Sequence, residues 1–486
     1  MNVLLIDPPS LEGNVAEFSQ NRSSTPNLGL IYLATYLKSR SNATIKILDM
    51  AANNLTFNDI PTVIKNFQPS LVGISAKTFN ILSAYKLSRI IKGINPLTIV
   101  VVGGAHPTAL PEQTLYECND INAVIMREGE YTFYELYERI SNGYASYADV
   151  FSDISGIIYR DNHGEIVRNS ERGVISDLNS LPFPDMDMVN YDNYSRVYTP
   201  NKYRFEHVYP VFASRGCPFD CTFCMPLHTK KHRVRDIENI LDEVELLNKK
   251  YGAKRIYFED SLFCSRQSWF TMFCEKFSER GLHKKVQWGF ETRIDTPFSE
   301  MFEIAKKAGC IYTFFGVESG SEIVLKKSNK RYSKDMIIDK VSSAKRAGIR
   351  KVNISIILGL PYETKETIEE TLTLIEEVPC DSASINILDV YPGTEAFYMT
   401  DRGEGGLRWL EGKRMNWSAY SRSEPMVEVN DVDADYLVSS RFRGKKIVEN
   451  KVNKIENYIR LMLSVIEYAK KDRMILLKKI KKYFAL

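Results

Sequence analysis

The sequence has neither a charge excess nor a long apolar run. In a chain of 486 residues, 64 Lys and Arg residues stand against 61 Asp and Glu residues, which gives a formal net charge of +3. A nucleic-acid-binding domain is usually strongly basic, so we expect no nucleic-acid partner. Apolar stretches such as Ile99–Val102 and Ile354–Leu360 are far shorter than the roughly 18 residues that cross a membrane.

Cysteine is also scarce, and no secretion signal is visible. Eight cysteines in a chain of this length are too few for a disulfide scaffold,. The first residues, Met1–Pro9, lack the basic segment and the apolar core of a signal peptide,. We therefore expect a cytoplasmic protein. The hydrophobic content of 44% is that of an ordinary globular chain,.

Residues 1–142 alternate between short β-branched strands and helices. Such alternation predicts a doubly wound, Rossmann-like α/β domain with a parallel sheet, whose ligand crevice lies at the carboxyl ends of the strands. The predicted strands are Val3–Ile6, Thr44–Leu48, Leu71–Ser75, Thr98–Val102 and Asn122–Met126. Residues 143–207 contain many Pro and Asp residues and one hairpin pattern, so we expect an irregular connector,.

Residues 208–400 contain six longer strand–helix units. Six units predict an open, partial relative of the eight-fold (β/α) barrel, in which chemistry takes place where strands end and loops begin. Residues 401–486 show no strand pattern, and we expect a mostly helical C-terminal region. Its last segment, Asp472–Leu486, is predicted to be a helix that docks on the body of the protein. The alternative is a basic amphipathic helix that contacts a membrane or a partner.

The strongest motif follows the first strand of this second series. Cys217, Cys221 and Cys224 have the spacing C-x3-C-x2-C on one loop, and in a reducing compartment three such thiolates indicate metal ligands. The spacing is compatible with two kinds of metal site. One is a Cys3His zinc site completed by His228,. The other is a [4Fe–4S] cluster with three Cys ligands and one iron free for another ligand.

This loop resembles that of the radical S-adenosylmethionine (SAM) enzymes, in which an aromatic residue, here Phe223, precedes the third cysteine. The resemblance continues at the ends of the next five strands, which carry polar residues in barrel order. It implies that the three cysteines hold a [4Fe–4S] cluster and that SAM chelates the fourth iron. An electron donor such as flavodoxin or ferredoxin is also implied.

The resemblance further implies contacts to SAM. Glu318 suits the ribose hydroxyls, and Asp260 suits the ammonium group. Arg293 or Lys330 would pair with the SAM carboxylate,. Ser355 would point into the barrel, where it either contacts SAM or serves packing. For the other residues, the alternative is a salt bridge between loops.

The first domain resembles cobalamin-binding domains. The segments that carry this resemblance are Asp7–Pro9, Asn27–Ala34, Val101–Thr108 and Arg127–Glu130. The motif D-x-H-x-x-G, which supplies an axial His to cobalt in some B12 proteins, is absent. The residues implied in binding are Ser75 and Thr78 beneath the corrin ring, Gly103 and Gly104 near the nucleotide tail, and His106. The alternative for His106 is a turn residue before Pro107.

Together, the two resemblances predict a cobalamin-dependent radical SAM methyltransferase. It would act on an unactivated carbon of a small-molecule or lipid-like substrate through a 5′-deoxyadenosyl radical. Cyclisation, ring contraction, hydroxylation or dehydration, with or without bound cobalamin, is the second hypothesis. A non-catalytic, zinc-stapled binding protein is the third. In the C-terminal region, Trp409, Trp417 and Tyr420 either line a substrate pocket or form a local core.

The remaining cysteines give a weaker signal. A free buried Cys behaves as a small hydrophobic residue. We expect that role for Cys118, Cys274, Cys310 and Cys380. Cys264 lies just beyond Asp260, and a hydrogen-atom donor or a substrate contact is the alternative there.

Overall fold

The computed structural model describes residues 1–10, 25–143, 147–195, 197–199, 204–225, 229–263, 265–295, 300–421 and 424–451. The first sheet contains five neighbouring parallel strands, in the spatial order β2-β1-β3-β4-β5. They are β1 (Asn2–Asp7), β2 (Thr44–Asp49), β3 (Leu71–Ser75), β4 (Ile99–Gly103) and β5 (Ala123–Ile125). All five agree with the predicted strands to within two residues at each end.

Helices flank this sheet because its strands are apolar on both faces. The first helix begins after Asn27, whose side-chain oxygen accepts a hydrogen bond from the amide of Leu30 at 3.3 Å,. The helices are α1 (Leu28–Lys38), α2 (Ile60–Phe67), α3 (Ile81–Ile94), α4 (Ala105–Ala109), α5 (Pro111–Glu117), α6 (Glu130–Ser141) and α7 (Tyr147–Phe151).

The hairpin of the expected connector belongs to the first sheet. Strands β6 (Ile157–Arg160) and β7 (Ile166–Arg168) extend it as antiparallel edge strands, with β6 paired to β5. The first three residues of β6 are buried. This part of the expected connector therefore packs as an edge of the first sheet instead of forming an irregular loop. A further short pair, β8 (Val197–Thr199) and β9 (Arg204–Glu206), follows.

The second sheet has six parallel strands in sequential order, as a partial barrel requires. They are β10 (Val208–Val211), β13 (Arg255–Phe258), β14 (Gln287–Arg293), β15 (Cys310–Glu318), β16 (Lys351–Leu358) and β17 (Ser382–Ile387). Between β10 and β13, a two-stranded pair consists of β11 (Ser214–Arg215) and β12 (Arg233–Val234).

The outer layer of the partial barrel consists of helices with clear end signals. One begins after Ser333, whose hydroxyl accepts from the amide of Met336 at 3.3 Å, and another ends at Gly252 in the left-handed conformation,. The helices are α8 (Ile237–Tyr251), α9 (Gln267–Glu279), α10 (Met301–Lys307), α11 (Glu322–Lys327), α12 (Lys334–Arg346) and α13 (Lys365–Glu377). One hydrophobic core includes residues of both domains, from Leu4 to Val448.

The C-terminal region is helical but contains two strands that the sequence did not indicate. Its elements are α14 (Glu395–Arg402), β18 (Leu407–Trp409), β19 (Val427–Val429) and α15 (Ala434–Lys451). Three-residue strands are too short to give a recognisable alternation, which is why no strand pattern was visible there, and the expected mostly helical region is confirmed. The predicted helix Asp472–Leu486 lies outside the described residues. Within the described part of the chain, no helix is long and apolar enough to cross a membrane.

A buried ion-pair network joins the two domains. Arg215 and Arg233, on the two-stranded pair, approach the loop that follows β5. Arg215 donates to Glu130 Oε1 at 2.6 Å, and Arg233 donates to both oxygens of Glu128 at 2.9 and 2.7 Å. Burial alone would raise the pKa of Glu128, but Arg233 and Arg215 hold it below its ordinary value. The four side chains are each at most 6% exposed.

This network predicts a large loss of stability when one charge is removed. Glu128→Gln leaves Arg233 buried without its carboxylate, so the free energy of unfolding should fall by about 3–5 kcal/mol. Glu395→Gln is the control, because its partner Arg402 is half exposed and such pairs contribute about 1 kcal/mol or less. Urea unfolding followed by tryptophan fluorescence measures both, and equal losses would contradict the structural role of the network.

Candidate active site

The loop with the three cysteines starts directly after β11 and is closed at its base. Cys217 donates its backbone amide to the carbonyl of Thr229 at 3.0 Å. Gly216 has φ +90°, and a side chain there would collide with the carbonyl oxygen of Lys231. Only glycine adopts this conformation without strain. The loop is therefore held as a turn that presents its thiols at the carboxyl end of the second sheet.

The three thiols lie close enough to interact electrostatically. Arg293, at the end of β14, donates from Nη1 to the sulfur of Cys221 at 3.2 Å. Removal from water and the neighbouring thiols raise the pKa of Cys224 to about 11. A metal would displace protons from these sulfurs, and Arg293 would offset the resulting negative charge. Sulfur ligands of this kind suit iron–sulfur clusters.

The zinc alternative gains nothing from the structure. His228, its fourth ligand, lies outside the described residues. Cys264 also lies outside the described residues.

Asp260 lies beneath the cysteine loop. Its side chain accepts from the amide of Ala213 at 3.2 Å and from the hydroxyl of Ser214 at 2.5 Å. Asp260 is 2% exposed, and burial raises its pKa to about 7. Both oxygens therefore accept hydrogen bonds from the segment that leads into the loop, and Asp260 anchors this segment.

Glu318, Ser355 and Lys330 form a hydrogen-bonded group at the ends of β15 and β16. Ser355 Oγ donates to Glu318 Oε2 at 2.7 Å, and Lys330 Nζ donates to Oε1 at 3.2 Å. Burial alone would lower the pKa of Lys330, but the charge of Glu318 raises it above its usual range. Lys330 also lies 5.8 Å from the ring centre of Phe223. Five of the predicted residues, Phe223, Arg293, Glu318, Lys330 and Ser355, are thus brought to one region next to the cysteines.

The backbone at Glu318 is shaped for this position. Glu318 has φ +72°, and the pairing of β15 with β16 shifts register between Gly316 and Glu318. The bulge turns the carboxylate toward Ser355. At Gly316, a Cβ would come within 2.7 Å of Glu318 Oε1, so the missing side chain lets the carboxylate approach. Tyr332 fixes the bulge by donating to the carbonyls of Gly316 and Val317.

The first domain has a large cavity at the carboxyl ends of its strands. Its volume is about 860 Å³, which is ample for a bulky flat ligand. Gly104 has φ +109°, and a Cβ there would come within 2.5 Å of the carbonyl oxygen of Ala76. Glycine is therefore required at this wall. Ser75, Gly103 and Gly104, all predicted for the cobalamin site, line the cavity, and so do Phe212, Arg215 and Glu259 of the second domain.

Thr78 and His106 lie beside this cavity but do not line it. The Nδ1 atom of His106 is 3.3 Å from the hydroxyl of Thr78, and its ring packs edge-on against Trp417 at 4.7 Å. Burial lowers the pKa of His106 to about 4. Both residues are buried where the C-terminal region covers the first domain.

The C-terminal aromatics are mainly structural. Trp417 is 5% exposed and donates to Glu117 at 2.8 Å, and Tyr420 is 4% exposed and donates to the carbonyl of Val390 at 2.6 Å. Trp409 donates to Asp401. The core alternative fits Trp417 and Tyr420. The cysteines Cys118, Cys274, Cys310 and Cys380 are buried as expected.

Two features gain their role only from the structure. One is the pair Glu128 and Glu130, which the sequence singled out only as part of the cobalamin resemblance, and whose arginine partners lie 105 and 85 positions away. The other is Glu363, in the loop after β16. It is fully buried and accepts from the amide of Gly359, and its Oε1 atom has no hydrogen-bond partner in the part of the chain that the structure describes. Burial raises its pKa to about 8.

Glu363 predicts a pH dependence of stability. An unfolded glutamate ionises near pH 4.3, whereas Glu363 keeps its proton to about pH 8. Its contribution to stability is therefore fully present below the unfolded pKa and is lost as the pH rises to 8. Glu363→Gln, which resembles the protonated side chain, should become more stable than the parent as the pH increases from 5 to 8.

Thermal unfolding of both proteins between pH 5 and pH 9 measures this difference. Glu370→Gln on the exposed side of α13 is the control, and its difference from the parent should stay constant with pH. A constant difference for Glu363→Gln would contradict a protonated Glu363.

Family models match both domains. The radical SAM superfamily model matches residues 211–375, which contain the cysteine loop and strands β13 to β16. The B12 binding domain model matches residues 21–137, which contain β2 to β5.

Curated relatives match most of the chain. A protein named "Uncharacterized methyltransferase PH0819" of Pyrococcus horikoshii is 31% identical over 439 residues, which are 90% of each chain. An anaerobic magnesium-protoporphyrin IX monomethyl ester cyclase of Rubrivivax gelatinosus is 29% identical over 400 residues, 82% of this chain and 69% of that protein.

Solved structures share the fold. OxsB, solved with aqua-cobalamin and SAM, has a TM-score of 0.72 at 18% identity over 100% of this chain and 75% of its own. TsrM of Kitasatospora setae, solved with cobalamin and a [4Fe–4S] cluster, has a TM-score of 0.70 at 15% identity over 99% of both chains.

These matches confirm the predicted fold class and enzyme class. They also confirm the three predicted cofactors at the level of the family: a [4Fe–4S] cluster, SAM and cobalamin. The hypothesis of a non-catalytic, zinc-stapled protein is set aside. The chain therefore belongs to the radical SAM enzymes that carry a B12-binding domain.

Proposed function

We propose that this enzyme transfers a methyl group to an unactivated carbon of a small molecule. The observation that carries the proposal is that the cysteine loop and the cavity of the first domain share a wall. Arg215 lies two residues before Cys217 and also lines the cavity of the first domain, together with Phe212 and Glu259. A group bound in that cavity would face the cysteine loop. The Pyrococcus horikoshii relative is named a methyltransferase, which supports the proposal.

The residues next to the cysteines suit SAM. Cys217, Cys221 and Cys224 would hold the cluster, and Glu318 would accept hydrogen bonds from the ribose hydroxyls. Arg293 and Lys330 supply positive charge for a carboxylate. When bound, the cluster and SAM supply radical chemistry and cobalamin supplies a transferable methyl group.

Other residues hold these groups in place. Ser355 binds Glu318 Oε2 and so fixes the orientation of the carboxylate. In place of a contact to the SAM ammonium, we assign Asp260 to positioning the cysteine loop through Ala213 and Ser214.

For cobalamin, we retain Ser75, Gly103 and Gly104 as contact residues, because they line the cavity. Thr78 and His106 would support its wall from behind. His106 packs on Trp417 and is kept neutral by burial. We therefore assign His106 to the support of the cavity wall and not to contact with a bound metal.

Radical SAM enzymes act on small molecules and need an electron donor. That the donor is a flavodoxin or a ferredoxin remains a prediction, as does a cytoplasmic location. The helix proposed for membrane contact lies outside the described residues, so a lipid-like substrate has no support from the structure.

A cyclisation is the second candidate. It is favoured by one observation, the match to the Rubrivivax gelatinosus cyclase over 82% of this chain. The labelling experiment below separates the two reactions, because the product of a cyclisation does not contain the methyl group of SAM.

The assignment of the cysteines predicts the iron content of variants. Cys221→Ala removes one of three thiolates, and after anaerobic reconstitution the protein should lose most of its iron and its visible charge-transfer absorbance. Cys118→Ala is the control, because it removes a buried thiol of the first domain. Iron quantitation and absorbance spectra measure both. Full iron in Cys221→Ala would contradict the assignment.

The proposed reaction predicts a labelled product. The reconstituted enzyme, supplied with cobalamin, a reductant and SAM carrying a trideuterated methyl group, is incubated with a metabolite extract. High-resolution mass spectrometry should reveal a product heavier than its precursor by one trideuteromethyl group in place of a hydrogen. Formation of 5′-deoxyadenosine with consumption of a metabolite but no label would overturn methyl transfer and favour cyclisation.

A further inference from the structure

The inner face of the partial barrel carries a connected polar group that the proposed cofactor contacts do not use. We call Tyr257, Glu291, Tyr312 and Asn353 the acceptor cluster. In a strand, alternate residues share a face, and this places Glu291 on the same side of β14 as Arg293. The register pairs Glu291 with Phe314 and Phe314 with Asn353, so the members lie at neighbouring levels of the barrel.

Hydrogen bonds connect the cluster. The hydroxyl of Tyr257 donates to Glu291 Oε1 at 2.7 Å, and Asn353 Nδ2 donates to the hydroxyl of Tyr312 at 3.2 Å. The two tyrosine rings meet edge to face at 5.6 Å. These two hydrogen bonds leave two acceptors of the cluster, Glu291 Oε2 and Asn353 Oδ1, unused within it.

One of these acceptors is deeply buried. Asn353 is 8% exposed, and its Oδ1 atom has no hydrogen-bond partner among the described residues. A buried polar atom without a partner is costly, so this atom indicates a place for a ligand donor. Glu291 itself stays accessible from inside the barrel.

Glu291 lies between two other acidic side chains. On one side is Glu259, which lines the cavity of the first domain. On the other side is Glu318, whose charge is matched by Lys330. Enclosure in the barrel raises the pKa of Glu291, and Glu318 adds to this rise. Enclosure and the nearby Glu291 likewise raise the pKa of Glu259. Three acidic side chains therefore face the space between the two cofactor sites, and a bound cation would favour their ionised forms.

We propose that the acceptor cluster binds a protonated amine of the substrate, with Glu291 as its counter-ion and Asn353 Oδ1 as a second acceptor. This inference rests on the proposed function only in that it places the substrate between the two cofactor sites. An ammonium group has three donors and no acceptor, which matches what the cluster leaves free. Glu291 is then a specificity-determining residue.

Other substrate classes fit this surface less well. A carboxylate or phosphate next to Glu291 would face two further carboxylates, those of Glu259 and Glu318, and like charges at close range are unfavourable. A purely apolar group would leave Asn353 Oδ1 and the carboxylate of Glu291 without hydrogen bonds, at a cost in binding. The rings of Tyr257 and Tyr312 offer an apolar wall beside the charge.

Three aromatic probes of similar size and different charge test the proposal. Benzylamine, benzyl alcohol and benzoate are equilibrated with the reconstituted enzyme by dialysis, and bound ligand is quantified by mass spectrometry. Benzylamine should bind about tenfold or more tightly than benzoate, since one charge-assisted hydrogen bond contributes about 1.5–3 kcal/mol. Glu291→Gln keeps the shape and removes the charge, so it should abolish the preference for benzylamine.

Glu279→Gln on the exposed side of α9 is the matched control, because it makes the same change in net charge away from the barrel. It should retain the preference of the parent. Equal binding of the three probes, tighter binding of benzoate, no binding of any probe, or an unchanged preference in Glu291→Gln would overturn the proposal. The measurement needs no turnover, so it gives its answer whether or not methyl transfer is found.

Discussion

The buried network of Arg215, Arg233, Glu128 and Glu130 is the interaction on which the arrangement of both sites depends. Two positive and two negative charges lie out of water, and each is matched by the opposite charge in the other domain. Charges in such a place are tolerated only when paired and hydrogen-bonded. The backbone of Ile175 completes the set by binding both Glu128 and Arg233. A shift of one domain against the other would leave charges unmatched.

This constraint explains why the cysteine loop and the cavity face each other. Arg215 belongs to the strand that leads into the loop, and Glu128 and Glu130, between the end of β5 and the start of α6, line the cavity. The position of the thiols is thus tied directly to the wall of the first domain. Asp260 supports the same strand from below through Ser214. The C-terminal region adds a third connection, where Trp417 binds Glu117.

Much of the fold could be read from local pattern. Parallel strands buried on both faces are apolar runs, and the five parallel strands of the first sheet and the six of the second were predicted for that reason. The C-x3-C-x2-C loop was also recognised, because its spacing is local. Asp260, Thr78 and His106 were harder, because whether a polar side chain points into a cavity or beneath a loop depends on its neighbours in space. The ion pair of Glu128 was not predicted, because its partner Arg233 is 105 positions away.

Glu291 illustrates the same limit of prediction from a single sequence. Its place on an inner face followed from alternation, but the asparagine and tyrosines that give it a role come from three other strands. Register between distant strands decides such groups, and a single sequence does not contain it.

The backbone of Glu318 has a consequence for how this chain can change. A left-handed conformation disfavours a residue with a side chain by roughly 1–2 kcal/mol, and Glu318 adopts it at φ +72°. Glycine at this position would relieve that cost and remove the carboxylate that Ser355 and Lys330 hold. Lys330 would then be buried without its carboxylate, and an unpaired buried charge costs more than the relieved strain returns. The left-handed backbone is therefore retained by folding and by chemistry alike.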